Sequence, residues 1–70
     1  MTEEQKAAFQ ERLNRLMKER GKSPGMLSIQ TGVNERTIRN YQKGLFAPGP
    51  AILKALAQAF GVSEEYLTGG

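Results

Sequence analysis

Ser23-Pro24-Gly25-Met26-Leu27-Ser28-Ile29-Gln30-Thr31-Gly32-Val33-Asn34-Glu35-Arg36-Thr37-Ile38-Arg39-Asn40-Tyr41-Gln42-Lys43-Gly44 is the stretch that decides the fold. Serine before proline opens a helix: the hydroxyl caps an orphan amide, and proline takes the first helical position, where its missing N–H costs nothing. This helix is short and reaches Thr31, with Leu27 as its clearest core residue. Gly32 closes it. Asn34 then caps a second helix of the stretch, running from Glu35 to Lys43, and Gly44 ends that one. Gly32-Val33-Asn34 therefore joins two helices through a tight αα turn, with glycine where positive φ is needed.

Working outward, Thr2 and Gln5 form a capping box for a preceding helix. Phe9, Leu13, Leu16 and Met17 make its apolar stripe at helical period, and Gly21 ends it. On the other side, Leu45 to Gly49 reads as a loop and Pro50 starts a further helix. Its stripe is Leu53, Leu56, Ala57 and Phe60, and Gly61 stops it. Ser63 caps a last turn whose first positions, Glu64 and Glu65, meet the positive helix end. Tyr66 and Leu67 fold back toward the core. No segment alternates with period two. The expectation is an all-α fold: one domain over residues 1–70, a compact five-helix bundle with a helix-turn-helix at about 24–43.

Composition narrows the chemistry. The 70 residues are 39% hydrophobic and 24% charged, with no Cys, His, Asp or Trp. Without Cys and His, disulfide frameworks, the usual metal and haem ligand sets, and imidazole-based triads are excluded, so no metal and no cofactor is expected. No ordinary side chain titrates near neutrality, and an enzyme is not expected. Ser23 beside Lys22 formally permits Ser–Lys catalysis, but capping explains the serine. The start Met-Thr-Glu-Glu-Gln-Lys is not a secretory leader. The apolar run from Leu45 to Phe60 is broken by Lys54, Gln58 and two prolines, too short to span a bilayer. A cytoplasmic location with no membrane partner is the default, and no small-molecule ligand is evident.

Charge is concentrated in the centre. Between Arg12 and Lys43 lie eight basic residues against only Glu19 and Glu35, whereas both ends are mildly acidic. That balance suits an anionic partner, nucleic acid first. On a helical wheel of the helix 35–43, Ile38 and Tyr41 fall on one side, and Val33 can join them. Arg36, Arg39, Asn40 and Lys43 fall together on the other. The helix is about 14 Å long, which suits a major groove about 12 Å wide. Arginine can bridge guanine O6 and N7, and asparagine can bridge adenine N7 and N6.

In these residues the chain resembles the Cro and phage-repressor family of helix-turn-helix DNA-binding domains, the lambda-repressor-like or xenobiotic-response-element type. The resemblance is carried by Leu27-Ser28, Gly32-Val33-Asn34, Arg36 through Gly44, Pro48, Leu53, Leu56-Ala57, Phe60 through Ser63, and Tyr66-Leu67. It covers about Phe9 to Gly69. It implies a transcriptional regulator, a repressor in the first instance, that binds a palindromic double-stranded DNA operator as a homodimer. By position, Glu35, Arg36, Arg39 and Asn40 would face bases. Thr37 and Lys43 would lie near the DNA backbone, with the start of the preceding helix, at Ser23 and Gly25, anchoring a phosphate. Glu35 has a competing role in favouring the helix dipole, and Thr37 one as a local hydrogen-bond partner.

The departures are informative. Pro24 stands where members often carry a phosphate-binding glutamine, which leaves backbone amides near Gly25 and Met26 for that task. Met17 and Gln42 replace an arginine–glutamate pair that commonly links the first and third helices. Leu45-Phe46-Ala47 replaces a segment that is commonly basic; burial of Leu45 or Phe46 is the first expectation and a dimer or partner surface the second. A different class of function, a protein-interaction module of the same fold (antitoxin-like or a docking domain), is favoured by that apolar loop and by Ile29 on an exposed face. A trimmed domain lacking a C-terminal partner segment would dimerise weakly.

Overall fold

In a computed structural model, which describes residues 1–70, the first helix starts at the expected capping box. Gln5 N–H donates to Thr2 Oγ1 at 3.1 Å and Thr2 N–H to Gln5 Oε1 at 2.8 Å. Five helices follow in order: α1 (Glu3–Arg20), α2 (Pro24–Thr31), α3 (Glu35–Gln42), α4 (Pro50–Phe60) and α5 (Glu64–Leu67). There is no strand. Ser23 and Ser63 cap α2 and α5 by accepting from Met26 N–H and Tyr66 N–H. Each cap satisfies a donor that the first helical turn would leave orphaned.

The apolar stripes meet in one core. Phe9, Leu13, Leu16 and Met17 of α1 pack with Leu27 of α2, Ile38 and Tyr41 of α3, Leu56, Ala57 and Phe60 of α4, and Leu67 of α5. Leu53 is only half-buried at its edge. Full burial of a leucine or phenylalanine contributes about 1.5–3 kcal/mol, so these few side chains dominate the stability of so small a domain. The Phe9 and Tyr41 rings meet edge to face at 5.6 Å and 81°. That contact fixes α3 on α1 and turns the opposite face of α3 outward.

Polar contacts lock the frame. Arg20 Nη1 donates to Phe60 O at 2.9 Å, tying the ends of α1 and α4 together. Arg12 Nη1 donates to Tyr66 O at 2.6 Å, and its guanidinium lies 4.5 Å from the Tyr66 ring centroid. Tyr66 and Leu67 thus fold back as expected, with Leu67 fully buried.

Two expectations are corrected, and one contact was not anticipated. The third helix ends at Gln42 rather than Lys43, which becomes its C-cap. The chain closes there because Lys43, Gly44 and Leu45 N–H groups donate back to Arg39, Tyr41 and Asn40 carbonyls, with Gly44 at φ 76°. Leu45 and Phe46 are not buried: they are 55% and 57% exposed. Pro48 is the residue of that loop that turns inward. The link between α1 and α3 is present in another form. Gln10 Nε2 and Asn14 Nδ2 both donate to Gln42 O, at 3.1 and 3.0 Å, so the partner at position 42 is its carbonyl and not its side chain.

Candidate nucleic-acid interface

The turn between α2 and α3 sets the geometry of the site. Gly32 adopts φ 76° and ψ 4°, and its N–H closes α2 on Ser28 O at 2.8 Å. A side chain would be strained in that left-handed conformation. Thr31, which the sequence pattern did not single out, staples the turn: its hydroxyl donates to Leu27 O at 2.7 Å and accepts from Val33 N–H at 3.2 Å. Val33 is then buried, and α3 departs at a direction set by packing on both sides of the turn.

Asn34 caps α3 as expected, with Oδ1 accepting from Arg36 N–H at 2.8 Å. The cap therefore engages Arg36, not Thr37, which lies half-buried beside the outward face. Ile38 and Tyr41 point into the core. Burial of Tyr41 pushes its phenol above its ordinary value of 10.0, because the phenolate charge formed on ionisation would have less water around it.

On the other side Arg36, Arg39 and Lys43 are exposed, with Asn40 half-buried among them. The donors expected to share a face do share it. They are not equivalent. The chain has two ion pairs, Glu11–Arg15 on α1 and Glu35–Arg39 on α3, the latter at 2.6 Å. Arg36 and Lys43 carry charge without an internal partner, whereas Arg39 is held along the helix by the acid one turn before it.

The start of α2 lies beside the start of α3. Pro24 has no N–H, Met26 N–H goes to Ser23 Oγ, and Leu27 N–H goes to Ser23 O at 3.0 Å. Of the amides expected to meet an anion there, only that of Gly25 is left, and Met26 is removed from the list. Ser23 contributes as the cap that holds this arrangement. Glu35 lies directly against Gly25: a Cβ added to the glycine would come within 2.9 Å of Glu35 Oε1. A side chain at position 25 would displace this carboxylate, which is the mobile end of Glu35, without forcing the two helices apart.

Together these groups form a convex ridge of donors on an eight-residue helix, about 12 Å long, bordered by one acid and the Gly25 amide. Such a ridge can enter a groove and hydrogen-bond to base edges, and its free cations can neutralise phosphate. No group of three or more acidic side chains converges as a metal site, and no helix is long and apolar enough to cross a membrane. A family model described as helix-turn-helix matches residues 13–67 of the chain. No curated protein and no solved structure matches it significantly.

Proposed function

Because the chain belongs to the helix-turn-helix family of Cro and repressor type, whose domains are DNA-binding regulators rather than enzymes, we propose that it represses transcription by occupying a double-stranded operator through α3. The observation that carries this reading is the single outward face on which Arg36, Asn40 and Lys43 stand opposite Ile38 and Tyr41. In it Arg36, Asn40, Arg39 and Glu35 face base edges. Lys43 and Thr37 lie toward the strand backbone, and the start of α2 at Ser23 and Gly25 approaches a phosphate. Two copies place their α3 helices in successive major grooves about 34 Å apart, so the operator is an inverted repeat. The protein acts in the cytoplasm, where that DNA is.

Selection of bound sites from random duplexes tests this reading. An inverted repeat should be enriched, and affinity should fall steeply with salt as counterions are released. A pool that yields no motif overturns it. Sedimentation of the free protein and of its complex tests the homodimer, with two copies per duplex expected.

The second reading, a protein-interaction module, draws on four exposed apolar residues. Leu45 and Phe46 stand out from the loop, and Ile29 (87% exposed) and Met26 from α2. It predicts a partner protein whose binding survives alanine at Arg36 and Asn40, and loss of that binding with Arg36→Ala would refute it.

A further inference from the structure

Glu35 is the one acid on an otherwise cationic face, and two independent contacts define it. Its Oε2 lies 2.6 Å from Arg39 Nη1, and its Oε1 sits against Gly25 at the start of α2. The carboxylate therefore does two things to any duplex that docks there. It lies against Gly25, whose amide is the only unpaired one at the α2 start, so its charge repels a strand phosphate approaching there until the carboxylate turns to a base edge. It also holds Arg39 back from reaching a phosphate of its own, since that guanidinium is already engaged. Both effects penalise DNA bound by its backbone alone.

A G·C pair removes the penalty best, because it alone sets two acceptors side by side for the arginine fork. In the major groove a G·C pair presents guanine O6 and N7 as acceptors beside the cytosine N4 amino donor. An arginine and a carboxylate held side by side form the complementary donor and acceptor. We propose that Glu35 and Arg39 act as one paired reading element, which accepts a G·C pair at one operator position and rejects the phosphate backbone of unselected sequence. Glu35 is thus a specificity-determining residue whose charge lowers affinity for DNA in general and restores it at the right site. This rests on the assignment of α3 as the reading helix.

The test compares the wild-type chain with Glu35→Gln, Arg39→Gln and Glu11→Gln, using duplex selection and titration of a random-sequence duplex across salt concentrations. Glu35→Gln keeps the side-chain shape and removes only the charge. It should tighten binding to random duplex about five-fold, the scale of one unit-charge interaction in water at contact distance. Its salt dependence should steepen by about 0.9 as the freed Arg39 takes a phosphate. Glu11→Gln removes the same charge from the exposed ion pair on α1 and should leave the slope unchanged. In selection, Glu35→Gln and Arg39→Gln should both lose preference at the same G·C position. Relaxation at different positions, or equal effects of Glu35→Gln on selected and random duplexes, overturns the pairing while leaving α3 as the reading helix. A wild-type chain that selects no motif brings down both.

Discussion

The arginines of α1 and those of α3 are the same residue type in the same basic stretch, yet the fold gives them opposite work. Arg12 is spent on the Tyr66 carbonyl and ring, and Arg20 on the Phe60 carbonyl. Arg15 is spent on Glu11, whose hydrogen bond and charge raise the guanidinium above its ordinary range. On α3, Arg36 is left without a partner and Arg39 is held by Glu35 alone. The difference shows that net charge along a sequence overstates the charge a partner can meet. A guanidinium that closes a helix end or packs on a ring is part of the scaffold. One that stands free on a ridge is available for recognition.

The largest effect that should separate scaffold from ridge lies within α3 itself. Ile38→Ala, on the fully buried side, should cost about 2–5 kcal/mol in urea denaturation, since the cavity adds to the lost burial. Arg36→Ala, two positions earlier, should leave the urea midpoint unchanged. It should remove about 1–3 kcal/mol of discrimination at one base position, read by competition with single-base variants of the selected duplex. If Arg36→Ala instead lowers stability, the ridge belongs to the scaffold and the contrast fails.

Arg12→Ala reverses the pattern. Loss of its charged hydrogen bond and ring contact should cost about 1–2 kcal/mol of stability without altering which base is preferred at any position. The smallest effect concerns pH. The folded phenol of Tyr41 is raised above its unfolded value, so the neutral form is favoured by folding. Its contribution is complete below pH 10.0 and is lost as pH climbs through the folded value. Tyr41→Phe should therefore flatten the loss of stability on titration above pH 10, with little change at neutrality. An unchanged alkaline limb would mean that Tyr41 ionises as freely in the folded chain as in the unfolded one.

Much of this frame was legible in the residues because its signals are local. The caps at Thr2, Ser23, Asn34 and Ser63 each act within a few positions, and the stripes of α1 and α4 repeat at a period that only a helix satisfies. The outward donors of α3 followed from the same wheel. What escaped has its cause in distance along the chain or in backbone groups. Gln10 and Asn14 meet a carbonyl 32 and 28 residues away, and nothing in an amide side chain announces such a partner. Thr31 staples the turn through its hydroxyl, a role its type permits at many places. Leu45 and Phe46 looked like core because they are apolar, but the backbone around them is committed to ending α3, and Pro48 takes the inward position. The Glu35–Arg39 pair was not read from the sequence, where Glu35 had only its base-facing and helix-dipole roles. The approach of the carboxylate to Gly25 depends on how α2 and α3 cross, which spacing does not encode.

The most direct measurement is an NMR titration of the isotopically labelled chain with its selected duplex, following backbone amides together with the arginine and asparagine side chains. Large shifts should fall on Arg36 and Asn40 of α3, on Lys43 at its C-cap and on Gly25 at the start of α2, while Arg12, Arg15 and Arg20 keep their free-protein positions. Shifts centred on Ile29, Leu45 and Phe46, or spread over the α1 arginines with α3 unmoved, would contradict the account.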